Sequence, residues 1–510
     1  MKNILIAIRS IFKKGRHNVM KIVSLGIGLA VGLVLIAKVY FEQSYDDFYP
    51  DRDRVYQVWA KYQQNGGELK DYPQTSGGIA PTMQQQIPEI ETVTRYTSFG
   101  DWTFTMTDTK MKYSGRCIIA DSCFFDILPR PMLIGNAKEV LSTPMYVLIS
   151  SRIAKNIGGD VIGKNFTVDN SPGRTMTIGG VFEEVPENSH SRYDVIVSMA
   201  SAGRFMWEGS PTNMLGNDRY ISYVKLHKGV NPLALEEQVR TFVNSYFPPE
   251  EQQKVGLSID FSFHKLDNLH KELPQVKRMT WILSLLAFAL IFTAVMNYIL
   301  IVISSIVNRS KEVAVHKCYG ASENNIHGMM FGEALVHIVL SLILALLLIL
   351  AFRGTVEELL ATSLDSLLLS NGSLVLLGIC ILVFFVSGFM PGSLYARIPV
   401  ASAFRNYREN KRIWKKALLL VQFVATGFLV TMLVFVARQY TFMVNDRPGY
   451  AYENLAYCGL AGVDSTSRAK ILDEVMRLPG VAAATTVYQL PFEHASGNNI
   501  LLPGGTQELF

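Results

Sequence analysis

Five separated apolar blocks constrain this chain more than any other feature: Ile22 to Phe41, Thr280 to Ile303, Leu335 to Phe352, Leu374 to Tyr395 and Ala417 to Ala437. Each gives roughly 20 residues almost free of charge, the length at which a helix rising about 1.5 Å per residue crosses about 30 Å of hydrocarbon. Composition agrees, since 49% of the 510 residues are hydrophobic and only 18% are charged, whereas soluble domains carry about 25% charge. A disordered or collagen-like chain is excluded and an ordinary soluble enzyme disfavoured. Five membrane spans are expected, at 22–41, 280–303, 329–352, 374–395 and 417–437. Lys38, near the end of the first block, is expected to snorkel to the interface.

Charge orients these spans. Residues 1–21, 304–328 and 396–416 hold sixteen lysines and arginines against Glu312, Glu323 and Glu409. By the positive-inside rule these three segments are cytoplasmic, and 42–279, 353–373 and 438–510 lie outside. The pI of 8.7 is then a signal of topology, with no nucleic-acid partner implied. The basic start followed by an apolar run has the outline of a secretory signal. Bulky Val39-Tyr-Phe-Glu42 offers no small-x-small cleavage site, so an uncleaved anchor is expected. Ahead of it, Ile4, Leu5, Ile8, Ile11 and Phe12 fall at helical spacing opposite Arg9, Lys13 and Lys14. That pattern describes an amphipathic helix in 1–21 lying on the inner membrane face, a frayed basic tail being the alternative.

The outer segment 42–279 is large enough to bury its own core, and its texture is mixed. Arg54-Val-Tyr-Gln-Val-Trp59, Met145 to Ser150, Thr175 to Gly179 and Tyr220 to Lys225 alternate as strands do. Helical patterns intervene at Ala80–Gln86, Ser150–Ile157 and Pro232–Tyr246, the last opened by Asn231 and Pro232. The expected class is a membrane protein, an α-helical transmembrane bundle with a large extracytoplasmic α+β domain. Both tethers of that domain, about 42–54 and 266–279, are expected to form a helical stalk.

Sites of chemistry are sparse. No GxSxG, HExxH, EF-hand or GxGxxG motif occurs, so no catalytic, cofactor-binding or metal-binding residue is nominated. Gly158-Gly-Asp-Val-Ile-Gly163-Lys164-Asn165 imitates a P-loop, but Asn165 replaces the Mg²⁺-holding hydroxyl and a strand, Phe166 to Asp169, follows where a helix is needed. The five cysteines show no CxxC spacing; Cys117 and Cys123, in the outer segment, form either a disulfide or two free thiols. His190, His264 and His270 have the setting of surface or capping residues. Glu333, at the inner end of the third span, is costly unless paired or wetted, and either snorkels or makes a polar contact between helices.

The stretch from Asn308 to Ile326 is the most informative. It has the pattern of a short helix ended by Gly320 in the C′ position, then a second start with Ser322 as N-cap leading into the third span. It resembles the signature R-x-K-E-[IV]-x-[VI]-x-K-x-x-G-A-S of FtsX-like ABC transporter permeases, matched by Arg309, Lys311, Glu312, Val313, Val315, Lys317, Gly320, Ala321 and Ser322. The outer segment resembles a MacB-type periplasmic core domain at Tyr45-Asp-Asp-Phe48, Asp53-Arg-Val-Tyr56, Asp121-Ser-Cys-Phe-Phe125, Gly135-Asn136, Ile178-Gly-Gly-Val181 and Val185-Pro-Glu-Asn-Ser-His190. Asn156-Ile-Gly158 departs from the Phe-Gly pair usual there. Residues 405–437 repeat the plan of 9–41, and 438–510 resemble the start of a second, incomplete core domain. On this resemblance the chain is an N-terminal portion of a protein with two such halves.

The resemblance implies a permease subunit without an ATP site or cofactor, in the inner membrane, driven by a separate cytoplasmic ATPase and paired with a second permease subunit. A periplasmic adaptor and outer-membrane channel are further partners it implies. The expected work is export or extraction of an amphiphile, peptide, antibiotic or lipoprotein, with activation of a cell-wall hydrolase as the alternative. Residues 308–322 are expected to contact the ATPase through Arg309, Lys311, Glu312 and Lys317, with Gly320, Ala321 and Ser322 shaping the turn. The nearly uniform aliphatic character of Leu335–Leu350 and Leu374–Val386 suits helices that pack and transmit displacement to the stalks better than a hydrophilic conduit.

Overall fold

The computed structural model describes residues 17–168, 171–216, 218–396, 399–400, 413–445, 454–460, 463, 465–487, 499–501 and 507–509. The amphipathic helix expected in 1–21 falls almost wholly outside these residues, and so does most of the basic 396–416 segment. Five of the described helices are long and apolar enough to cross a membrane; the five expected spans fall within them, save that Phe352, the last residue of the third, lies just past the end of its helix.

The first, α1 (Asn18–Gln43), ends where the Ser44 hydroxyl donates to the Phe41 carbonyl at 2.9 Å. A run of turns follows to Arg54. This corrects the helical stalk expected at 42–54: Asp46 sits at φ 60°, a left-handed conformation that a right-handed helix cannot absorb.

The chain then builds an 11-stranded sheet. Its elements, in chain order, are β1 (Val55–Gln64), β2 (Leu69–Tyr72), α2 (Ile79–Gln86), β3 (Ile90–Met106), β4 (Lys112–Ala120), α3 (Phe124–Ile127), β5 (Met132–Ile134), α4 (Ala137–Ser142), β6 (Tyr146–Ser150), α5 (Ser151–Ile157), β7 (Asn165–Val168), β8 (Ser171–Phe182), β9 (Val195–Ser198), β10 (Ile221–Leu226), α6 (Glu236–Tyr246), α7 (Pro249–Val255) and β11 (Leu257–Lys265). The strand order is β11-β1-β10-β3-β4-β9-β6-β8-β5, with β2 on β1 and β7 bridging β3 and β8. Most neighbours are antiparallel, while β4–β9 and β6–β8 are parallel. Long β3 bends at a register shift between Ser98 and Gly100, where Gly100 takes φ 73°. The strand residues alternate between cores, one against α2 and α6 with Ile79, Met83, Val239 and Phe242, another around Tyr96, Phe124, Tyr193 and Tyr223. The expected α+β domain is this sheet with its covering helices.

The P-loop imitation is resolved by the same sheet. Gly163 donates its N–H to the Ile178 carbonyl at 2.8 Å, and β7 follows in place of a helix. Cys117 and Cys123 are free thiols; Cys117 is buried on β4, and Cys123 Sγ donates to the Val93 carbonyl at 3.0 Å.

A 3-10 turn at Leu266–Asn268 leads back to the membrane helices α8 (Pro274–Ser304), α9 (Ile306–Cys318), α10 (Glu323–Ala351), α11 (Arg353–Leu360), α12 (Leu364–Leu368), α13 (Ser373–Ala396) and α14 (Ile413–Asn445). A last helix, α15 (Ser465–Met476), and the hairpin β12 (Asn499–Leu501)–β13 (Gln507–Leu509) complete the described chain. Glycine lets the membrane helices approach closely. A Cβ at Gly28 would collide with that of Ala294 on α8, one at Gly32 with Ile291, and one at Gly26 with Leu344 of α10. Gly388 and Gly392 of α13 likewise face Phe331 and His327 of α10. Both Gly28-x-x-x-Gly32 and Gly388-x-x-x-Gly392 are small-residue stripes of the kind that brings membrane helices into backbone contact.

Candidate functional site: a buried ionic node beside a capped helix

Ser305 breaks the path between α8 and α9, its hydroxyl donating to the Val302 carbonyl at 2.6 Å. α9 then ends as its sequence predicts. Gly320 takes φ 87°, Gly320 N–H reaches the Lys317 carbonyl and Ala321 N–H the His316 carbonyl, each at 3.0 Å, which is the Schellman pattern. Ser322 Oγ accepts from Asn325 N–H at 3.4 Å and starts α10. The result is a short helix held between two spans at the end of the bundle opposite the α+β domain.

One face of α9 is tied into the bundle. Arg309 is 6% exposed, and so is Glu333 on α10; Arg309 Nη1 lies 2.8 Å from Glu333 Oε2. Lys21 of α1, 0% exposed, brings a second cation to within 3.5 Å of Glu333 Oε1 and donates to Asn18 Oδ1 at 3.3 Å. Around the pair, the Arg309 guanidinium lies over the Tyr395 ring. Tyr395 OH is 3.1 Å from the Ser305 hydroxyl and donates to the Val302 carbonyl. The His337 ring nitrogen Nδ1 is 3.1 Å from Tyr298 OH. One carboxylate thus joins α1, α9 and α10, with α8 and α13 contributing the hydroxyls around it. Burying ions is costly, and the penalty is offset only when each is paired and hydrogen-bonded as here. Glu333 therefore makes the interhelix polar contact and does not snorkel.

The other nominated residues divide by face. Lys317 Nζ donates to the Ala396 carbonyl at 2.7 Å, tying α9 to the end of α13. Glu312 lies 3.7 Å from the Arg309 Nε. Lys311 points outward, and with it Val315, His316 and Tyr319, the last 89% exposed. Gly320 and Ser322 are exposed at the turn, Ala321 half-buried. Arg309 thus belongs to the interior of the bundle, and the outward face carries Val315, named in the sequence only as a match to the signature, and Tyr319, which sequence reasoning passed over. Their apolar character beside a capped helix end was the available signal.

A second polar cluster sits at the domain side. Lys38 is buried and does not snorkel: its ammonium is 2.7 Å from Glu42 Oε1 and donates to Thr362 Oγ1 at 2.8 Å, because the loop between α11 and α12 folds over the end of α1. His270 lies 2.6 Å from Glu42 Oε2 and stacks on Tyr45 with ring centroids 3.4 Å apart. His190 is 2.7 Å from Asp46 Oδ2 and hydrogen-bonds Tyr223 OH. Both histidines, expected at the surface or as caps, tie the domain to its tethers. Beside them Asp51 meets Arg54 at 3.1 Å and Lys225 at 2.6 Å; hydrogen bonds from Arg54 and then Lys225 hold its carboxyl down at about 2.

Such a molecule is a polytopic membrane protein of permease design, its spans carrying a short capped helix on one side and a large soluble domain on the other. The MacB-like periplasmic core domain model matches residues 20–242, and the FtsX-like permease C-terminal model matches 284–400. A domain of a putative permease protein from Porphyromonas gingivalis is 33% identical, covering 42% of this chain and 91% of that one at a TM-score of 0.39. The periplasmic region of MacB from Actinobacillus actinomycetemcomitans is 15% identical over 43% of this chain and 92% of that one, TM-score 0.29. The extracellular domain of the noncanonic ABC-type transporter YknZ from Gram-positive bacteria is 11% identical over 40% and 98%, TM-score 0.29. No curated protein matches. The chain belongs to the FtsX-like ABC transporter permease family and carries a MacB-like periplasmic core domain. Family membership makes it an ABC transporter permease, with ATP hydrolysis on a separate ATPase.

Proposed function

We propose that this permease couples a cytoplasmic ATPase to displacement of its periplasmic core domain, and so exports or extracts an amphiphilic, peptide or lipoprotein cargo on the outer side. In this reading the N-terminus, 304–328 and 396–416 are cytoplasmic, 42–279 and 353–373 are outside, and 438–510 open a second core domain. The observation that supports it is the two-faced α9. Its inner face is locked to two membrane helices, α10 and α1, through Arg309, Glu333 and Lys21 and to the end of α13 through Lys317. Its outer face presents Lys311, Val315 and Tyr319. A push received on the outer face passes to the bundle, because the inner face has no slack.

The test is ATPase binding. Tyr319→Ala combined with Lys311→Glu should reduce co-purification of the ATPase and the ATP turnover of the complex, while membrane insertion stays normal. Wild-type binding and turnover by that variant would remove α9 as the docking element.

A further inference from the structure

The loop between β8 and β9 contains Pro186-Glu-Asn-Ser-His190, a run whose role the sequence leaves open. In the structure it grips three separate parts of the molecule. Asn188 Nδ2 donates to the Ser44 carbonyl at 2.7 Å, and Asp46 N–H returns a bond to the Asn188 carbonyl at 2.9 Å. Ser189 Oγ and His190 N–H donate to Asp46 Oδ1 at 3.0 and 3.3 Å. These bonds seize the chain where it leaves α1. On the other side His190 meets Tyr223 of β10, and Ser191 Oγ lies 2.6 Å from Tyr96 OH of β3, both central strands. The third grip is not covalently near the domain at all: Glu187 Oε2 accepts from both the N–H and the hydroxyl of Ser363, each at 3.0 Å.

Ser363 begins α12, in the outer connection between α10 and α13. That connection is stiffened from within, since Glu357 accepts from Arg353 Nε and from Leu364 N–H at 2.9 Å each. It is held on α1 by Leu367, packed with Ala37 and Phe41, and by the Lys38–Thr362 bond at the neighbouring residue. α10 itself is an unbroken helix of 29 residues from the Ser322 cap to Ala351, so displacement at its α9 end is delivered at its outer end. The covalent exit from α1, by contrast, is a string of turns, which bends more readily than it pushes.

We propose that Glu187 and Ser363 are positioning residues of a second, non-covalent path, through α10 and the outer connection, that moves the periplasmic sheet when α9 is displaced. The proposal rests on the coupling reading above, and names where its motion crosses from membrane to domain. A carboxylate held by two donors on one residue transmits both compression and tension, which a single apolar contact does not.

The experiment uses the full chain with its co-purified ATPase in lipid nanodiscs. Spin labels are placed on Lys228→Cys in the domain and Trp281→Cys at the outer end of α8, in a background lacking the native cysteines. The interlabel distance is read without nucleotide and with ADP–vanadate. The parent should show a nucleotide-dependent shift; Glu187→Ala should lose at least half of it with ATP turnover unchanged, and Glu187→Gln, which keeps an acceptor, should restore it. An undiminished shift in Glu187→Ala overturns the relay and leaves the coupling reading standing. A parent that hydrolyses ATP without any shift overturns the coupling reading, and the relay with it. Should Glu187→Ala not insert, Ser363→Pro decides, since it removes both donors at a backbone φ of −65° that proline accepts: a reduced shift supports the relay and an unchanged one refutes it.

Discussion

Glu333 compensates two buried cations, Lys21 and Arg309. Removing it takes from both cations their buried carboxylate and leaves Arg309 only the more distant Glu312 at 3.7 Å, whereas removing either cation leaves the carboxylate one partner. Breaking a buried pair costs about 3–5 kcal/mol. Glu333→Leu should therefore lower the thermal midpoint in detergent more than Arg309→Leu or Lys21→Met. The double variant Arg309→Leu/Glu333→Leu should lose much less than the sum of its singles; additive losses would show that the pair is not coupled. On the domain, Asp51 gives a pH signature. Its carboxyl is held at about 2 against an ordinary 3.8, so the stability it contributes is complete above the ordinary value and is lost as pH falls from there through about 2. Asp51→Asn should flatten the acid limb of the unfolding curve in that window and lower stability at neutral pH, by less than the shift alone implies because the side chain is partly exposed.

Among the elements, α1 and α13 are built for close approach. Gly28→Leu has no room against Ala294, nor Gly392→Leu against His327, and overpacking of this kind costs about 1–3 kcal/mol or forces the helices apart. Both variants should give lower yields of folded protein and an earlier melt. Gly427→Leu on α14, where nothing lies within 4 Å of the added Cβ, should melt like the parent. An equal loss in all three would mean that close packing at Gly28 and Gly392 does not set the effect, since helix propensity alone favours leucine over glycine. The spacing of both stripes was present in the chain from the start, yet a glycine four residues from another says only that an approach is permitted. Which helix approaches is a tertiary fact.

For the whole molecule, the proposed topology places the sheet and Cys318 on opposite sides of the membrane. Lys228 is exposed on the domain and Cys318 is exposed at the end of α9. In a chain whose other cysteines are replaced, Lys228→Cys should react with a membrane-impermeant maleimide in cells with a permeabilised outer membrane. Cys318 should react only after the inner membrane is opened. Labelling of Cys318 with protection of position 228 would invert the topology.

The chain by itself determined the spans, the mixed domain, the capped end of α9 at Gly320 and the start of α10 at Ser322. Each is local: twenty apolar residues, a period-two alternation, a glycine at positive φ and a hydroxyl three residues ahead of a free N–H act within one or two turns of backbone. What the tertiary structure decided was every partnership between distant residues. Glu333 is separated by 312 positions from Lys21, and Glu187 by 176 from Ser363. No local pattern marks such pairs, because the energy that selects them is the cost of leaving a buried charge or polar group unpaired, and burial exists only once the helices and the sheet have come together. For the same reason Lys38, an interfacial residue on a linear reading, and His270, a surface or capping one, became the two partners of Glu42 once the return tether and the outer connection lay against the end of α1.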